Sequence, residues 1–341
     1  MVAEVGAPER GDVGQPPLVA PFPWWGGKRR VASLVWSRFG RVTNYVEPFA
    51  GSLAVLLGRP EVVGTETVTD KDGYVANFWR AIQHDPEQVA RWATWPVNEW
   101  DLHARHRWLV DQADFQARLL SDPDFYDPKV AGWWVWGVCL WIGSGWCVPG
   151  QSDQRVLHRK LPVLSGQVGV IAVQRRLPRK RPHLSGQVGV IAARDTEAWF
   201  ERLEARLRHV RVCCGEWDRI LGPSVTWRRG TTTVFLDPPY GVDDRADLYG
   251  HDSRDVASRV RAWALANGDD PRLRIALCGY EGEHEMPATW ECVAWKAHGG
   301  YGNQRRQGEN RNAWRERIWF SPGCLQPQQL ELFPSLEPVE G

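Results

Sequence analysis

Apolar residues in this chain fall into two alternating rhythms. Short β-prone runs at 42–46, 65–69, 210–214, 232–236 and 273–277 have the length and composition of buried strands, and 290–295 and 317–320 add two late ones. Between them apolar positions recur at helical spacing over 31–39, 53–57, 196–209 and 255–266, and across 74–120 with breaks at Pro86 and Pro96. Strands alternating with helices predict an α/β domain around a mostly parallel sheet. Three strand ends carry unusual residues. The first runs into Glu47-Pro48-Phe49-Ala50-Gly51-Ser52, the second ends on Asp70, and 232–236 passes directly into Asp237-Pro238-Pro239-Tyr240. Ligands of open α/β sheets bind beyond the carboxyl ends of the strands, so these three places form the candidate site.

One stretch breaks the alternation. Residues 159–172 (RKLPVLSGQVGVIA) recur as 179–192 (RKRPHLSGQVGVIA), identical at 12 of 14 positions with a period of 20. Two copies are too few for a solenoid, so a pair of strands or arms inserted into the main domain is expected. Charge is concentrated in the same place. The chain has a formal net charge of +1, yet 154–194 holds nine Lys/Arg and no acid, which leaves −8 on the remainder. Such asymmetry marks either a polyanion-binding segment or a solvated basic loop.

Composition narrows the class further. Of 21 tryptophans, five crowd into Trp133, Trp134, Trp136, Trp141 and Trp146, and burial is the expected use of most of them. Seven cysteines without a CxxC pair are expected to be reduced thiols of a cytoplasmic protein. Cys139, Cys147 and His158 lack a fourth ligand, so no metal is expected. No apolar run approaches the ~20 residues of a membrane-spanning helix, and no membrane partner is expected. Residues 1–17, rich in Gly and Pro and without an apolar core, are expected to be a disordered leader, and 323–341 a tail.

The strand-end residues suggest a chemistry. Ala50, Gly51 and Ser52 are small enough to let a ligand approach the backbone. Asp70, 19 residues after Gly51, stands where a carboxylate accepts hydrogen bonds from ribose hydroxyls. Together they read as an adenosine-type cofactor site, or as an ordinary turn followed by a helix-capping acid. Asp237-Pro238-Pro239-Tyr240 is more specific. Two prolines fix φ and remove two backbone donors, leaving the carbonyls and the Asp237 carboxylate as acceptors for an exocyclic amino group. Tyr240 offers a flat face to a base, a role that Phe or Trp is expected to fill equally. The alternative is a strand-terminating turn.

These stretches carry a family resemblance. The chain resembles the Dam-like adenine-N6 DNA methyltransferases, in which the cofactor loop precedes a target-recognition region and then the DPPY motif. The resemblance rests on Pro21-Phe22-Pro23-Trp24-Trp25-Gly26-Gly27-Lys28, Tyr45 to Ser52, Thr69-Asp70 and Val234 to Tyr240, with a weaker fifth stretch, Gly145-Trp146-Cys147-Val148-Pro149-Gly150. It implies a Rossmann-like S-adenosylmethionine-dependent methyltransferase fold with an inserted target-recognition region. The catalytic domain would be 18–84 and 195–322, and the helical and basic-repeat insertion 85–194. It implies S-adenosyl-L-methionine as cofactor, bound by Trp24, Gly27, Lys28, Glu47, Pro48, Phe49, Ala50, Gly51, Ser52, Asp70 and Asp237. Asp237, Pro238, Pro239 and Tyr240 would carry catalysis on an adenine flipped out of double-stranded DNA. Arg159, Lys160, Arg175, Arg176, Arg179, Lys180 and Arg181 would contact the DNA.

Two positions depart from the family pattern. Leu53 stands where a second glycine is usual, a place where a side chain can crowd the methionine end of the cofactor; its effect on cofactor affinity is not readable from the sequence. Trp25 replaces a usually small residue. Two other functions stay open: cytosine-N4 methylation, which commonly places Ser at the position of Asp237, and a catalytically inactive DNA-binding module with Leu53 as its lesion. A monomer is expected, with weak dimerisation as the alternative. Two near-identical arms contain no readable recognition sequence, and a companion restriction enzyme is equally unreadable.

Overall fold

The structure, a computed structural model, describes residues 17–24, 26–62, 64–112, 114–141, 145–148, 193–240, 255–295 and 315–326. Its centre is a sheet of seven strands: β1 (Asn44–Glu47), β2 (Thr65–Asp70), β3 (Val210–Cys214), β4 (Thr232–Leu236), β5 (Leu273–Tyr280), β6 (Glu291–Ala294) and β7 (Glu316–Phe320). Their spatial order is β3-β2-β1-β4-β5-β7-β6. The first five are parallel, and β7 runs antiparallel to both β5 and β6. Every residue of β1 and β4 is buried, as helix-covered central strands require. The chain leaves β1 outward through β2 to β3, then returns to the other side of β1 as β4. That reversal opens a crevice between the carboxyl ends of β1 and β4.

Nine α-helices are described: α1 (Ala32–Phe39), α2 (Ala54–Leu57), α3 (Gly73–His84), α4 (Pro86–Ala93), α5 (Glu99–Val110), α6 (Phe115–Ser121), α7 (Pro128–Leu140), α8 (Ala193–Leu207) and α9 (Val256–Asn267). Local chemistry sets several of their starts. Asp85 caps α4, Asn98 caps α5 and Asp127 caps α7, each accepting a backbone N–H from the first turn. Pro86 and Pro128 occupy first-turn positions, where the missing N–H costs nothing.

Most expected elements are present, with two differences. β1 begins at Asn44 rather than at 42, because the Val42 carbonyl accepts the Arg59 guanidinium at 2.7 Å. Trp133, Trp134 and Trp136 of the tryptophan cluster lie in a helix, α7, that the apolar pattern does not predict, while Trp141 and Trp146 follow it. An apolar sequence on all sides has no period to read. Trp134 and Trp136 are buried in it, and Trp136 stacks 4.2 Å from the Arg105 guanidinium. Helices α4 and α7 bury Val89, Ala90, Val130 and Ala131 in the same core as Phe78 and Trp79 of α3. The helical part of the expected insertion therefore shares the core of the sheet domain. No described helix is long and apolar enough to cross a membrane.

Candidate active site

The crevice at the strand reversal is walled by three pieces of chain. The end of β1 supplies Glu47 and the loop after it Phe49, Ala50, Gly51 and Ser52, the segment before α1 supplies Trp24, Gly27 and Lys28, and β4 and the turn after it supply Phe235 and Asp237. Nine of the eleven expected cofactor-binding residues thus line one cleft. Pro48 and Asp70 do not, while Ala54 and Phe235 were not anticipated.

Backbone ties hold the loop in shape. Ala50 N donates to the Thr69 carbonyl at 3.0 Å, and the Trp79 indole donates to the Gly51 carbonyl at 2.9 Å. Gly51 has φ +43°, and a Cβ there would collide with the Trp24 indole. Glycine is therefore required both by conformation and by the closeness of Trp24. Asp70 closes the loop from behind. Its Oδ2 accepts Gly51 N and its Oδ1 accepts Asp72 N, both at 2.9 Å. Burial first, and the Asp72 charge second, raise its pKa to about 7, against the lowering effect of those N–H groups.

Leu53 corrects an expectation. It adopts the left-handed conformation, φ 52° and ψ 30°, just before α2, which explains why glycine suits this position. Its side chain, however, is fully buried in the hydrophobic core and is not among those lining the cleft. From there the side chain forms no part of the cleft wall.

A buried charge cluster occupies the floor. Lys28 Nζ is 2.8 Å from Asp237 Oδ1 and 4.0 Å from Glu316 Oε2, and it donates to the Gly26 carbonyl at 2.7 Å. Burial alone would lower the lysine pKa. The neighbouring carboxylates, Asp237 foremost, outweigh it and carry the pKa above the ordinary lysine value. Glu47 accepts the Tyr45 hydroxyl at 2.9 Å. Burial pushes its carboxyl up to about 8; the Tyr45 hydrogen bond opposes this, and the Asp237 charge adds to it. Glu316 is also raised, by burial against the pull of Lys28. The Tyr240 hydroxyl lies 2.8 Å from Glu316 Oε2 and 3.2 Å from Asp237 Oδ1, and its ring meets Tyr280 edge-on, 4.6 Å between centroids. Pro238 is buried and Pro239 half-buried beneath the turn.

Residues 24–99 match the family model of the D12 class N6 adenine-specific DNA methyltransferases. The expected family is the one found. The matched span starts at Trp24 and contains Lys28, the whole loop after β1, and Asp70. The mixed seven-stranded sheet with its helices is consistent with the fold of that family. By its description the family acts on N6 of adenine in DNA. A comparison with curated proteins finds no match.

Other expectations meet the structure unevenly. The seven basic residues from Arg159 to Arg181 lie outside the described residues, as do Trp25 and His158. Among the described residues no cluster of metal-ligating side chains occurs. Cys139 contacts the Pro21 carbonyl, and Cys147 N donates to His106. Glu316 is not among the residues the sequence singles out, because the apolar run predicts the last strand from 317 and β7 begins one residue earlier. Its only signal was an acid at the threshold of an apolar strand, 76 positions beyond Tyr240.

Proposed function

We propose that this chain is an S-adenosylmethionine-dependent DNA methyltransferase that methylates N6 of adenine in double-stranded DNA, acting on a base turned out of the helix. One observation carries the reading. Asp237-Pro238-Pro239-Tyr240 emerges from β4 at the strand reversal, against a cleft lined by Trp24, Lys28 and the loop after β1. The lining also fits the cofactor's chemistry. Trp24, Phe49 and Phe235 offer apolar faces for a nucleoside, Gly51 lets the Trp24 indole lie close against the loop, and the Asp237 carboxylate suits a molecule with cationic groups.

When bound, the cofactor would supply a methyl group already activated on a positively charged sulfur. The protein's part is then positioning and polarisation. Adenine N6 is a poor nucleophile because its lone pair is delocalised into the ring. Asp237 and the Pro238 carbonyl would accept its two N–H groups, favouring the pyramidal nitrogen that develops in the transition state. Lys28 keeps Asp237 anchored through Oδ1. Among the described residues Asp237 Oδ2 takes no hydrogen bond, so it is the oxygen open to the base. The proton displaced from N6 leaves to solvent. Tyr240 would hold the extruded base by its face. The remaining assignments belong to the same proposal: a catalytic body of 18–84 and 195–322, recognition by 85–194, and a monomer in solution.

Purified protein, methyl-tritiated S-adenosylmethionine and DNA from a methylation-free host provide the test. Label should enter DNA, and sequencing should place it on adenine N6 at a defined site. N4-methylcytosine in its place would make the chain a cytosine enzyme. No cofactor binding by calorimetry would leave a DNA-binding module.

A further inference from the structure

Glu316 opens β7 and is almost fully buried, at 4% exposure. Its Oε2 faces both the Tyr240 hydroxyl, at 2.8 Å, and Lys28 Nζ, at 4.0 Å. The hydroxyl has one proton and two carboxylates within reach, with Asp237 Oδ1 the farther at 3.2 Å. The shorter contact has the better hydrogen-bond length, so the proton goes to Glu316. Asp237 Oδ1 is meanwhile held by Lys28 at 2.8 Å. On its other side the Tyr240 ring abuts Tyr280 at an interplanar angle of 68°. The ring is thus held at its tip and packed against Tyr280, and the residue holding the tip lies on β7.

We propose that Glu316 is a positioning residue for methyl transfer: it holds the Tyr240 ring by the hydroxyl and keeps that hydroxyl off Asp237. The inference rests on the proposed methyltransferase function. Both consequences serve the reaction. A ring held in one orientation presents a fixed face to the extruded base, so less freedom is lost when the base arrives. A carboxylate relieved of the tyrosine proton retains its acceptor strength for N6–H. The hydroxyl of Tyr240 therefore matters as well as its face, and Phe is not an equal replacement.

The test uses full-length wild type, Y240F, E316A, E316Q and the double variant E316A/Y240F. Turnover would be followed on a duplex carrying the methylated site, and cofactor affinity by calorimetry. Y240F and E316A should each lower kcat about ten- to a hundred-fold, the change that one hydrogen bond to a charged group is worth. The dissociation constant for S-adenosylmethionine should move less than about threefold, the scale of a lost neutral contact. E316Q keeps an acceptor oxygen and should recover part of the loss. The double variant should be no worse than the poorer single, because both remove the same hydrogen bond. Losses that multiply in the double variant, or a Y240F enzyme with wild-type kcat, would overturn the proposal. Y240F alone decides the matter should E316A fail to fold, since it deletes a single oxygen. Absence of N6 methylation by the wild-type protein would instead refute the function on which the proposal rests.

Discussion

Leu53 offers the sharpest test of the loop after β1, because two opposed effects meet in one residue. Its side chain is fully buried and its backbone is left-handed at φ 52°. Truncating a fully buried leucine costs about 3–5 kcal/mol. Replacement by glycine adds roughly 1 kcal/mol of chain entropy and returns about 1–2 kcal/mol by relieving the left-handed strain. The net expectation for Leu53→Gly is a loss of about 2–5 kcal/mol, most of it from the cavity. Leu53→Ala makes nearly the same cavity but keeps the strain. It should therefore be as unstable as the glycine variant or less stable, by up to ~1 kcal/mol, the reverse of the usual helical preference for alanine. Urea unfolding followed by tryptophan fluorescence measures both. Cofactor affinity at 25 °C should stay within about threefold of wild type in the glycine variant, since the side chain does not line the cleft. An alanine variant clearly more stable than the glycine variant would refute the strained backbone. A large gain in affinity on glycine substitution would restore the view that Leu53 crowds the site.

Three further outcomes follow from the charges. Asp237→Ala should lose methyl transfer by at least about a hundredfold, as expected for a group acting in the transition state, and should also lower stability by about 1–3 kcal/mol because buried Lys28 loses its 2.8 Å partner. Retained turnover would remove Asp237 from the chemistry. Glu47, raised from 4.5 to about 8, binds a proton in the folded protein that the unfolded chain has released, so stability without ligand should fall as pH rises between those values. Asp70 acts in the same direction, from 3.8 to about 7, so Glu47→Gln should flatten the slope without abolishing it; urea midpoints from pH 5 to 8 would show parallel slopes if the shift at Glu47 were not real. Neutralising Arg179, Lys180 and Arg181 should weaken DNA binding and flatten log affinity against log salt by roughly 0.9 per lost phosphate contact, with cofactor affinity unchanged. An unaltered salt slope would pass the recognition role to the region of Trp133 to Trp146.

Legibility in the sequence followed the range of the forces involved. β4 falls where the apolar run places it, because a central strand is specified by its own buried residues. The turn after β4 and the loop after β1 were readable because proline and glycine impose their conformations locally. The Lys28–Asp237 contact was not readable, although both residues were singled out. It joins positions more than two hundred residues apart and depends on the register of the whole sheet. Glu316 was hidden for the same reason, and α7 because an all-apolar helix has no face to betray it.

The cluster at the strand reversal ties the site to the completeness of the fold. Lys28 precedes α1, Asp237 follows β4 and Glu316 begins β7, so the three meet only when β4 and β7 are in place in the sheet and the segment before α1 lies against them. A lone buried lysine would be strongly disfavoured, and a lone buried carboxylate equally so. Two acids and one lysine in contact stabilise each other only together, and the Tyr240 hydroxyl joins them through the 2.8 Å bond to Glu316. A misregistered β7 would leave Lys28 with one acid and Tyr240 with a different partner. The surroundings of Asp237 are thus set in part by a strand that carries none of the recognisable motif.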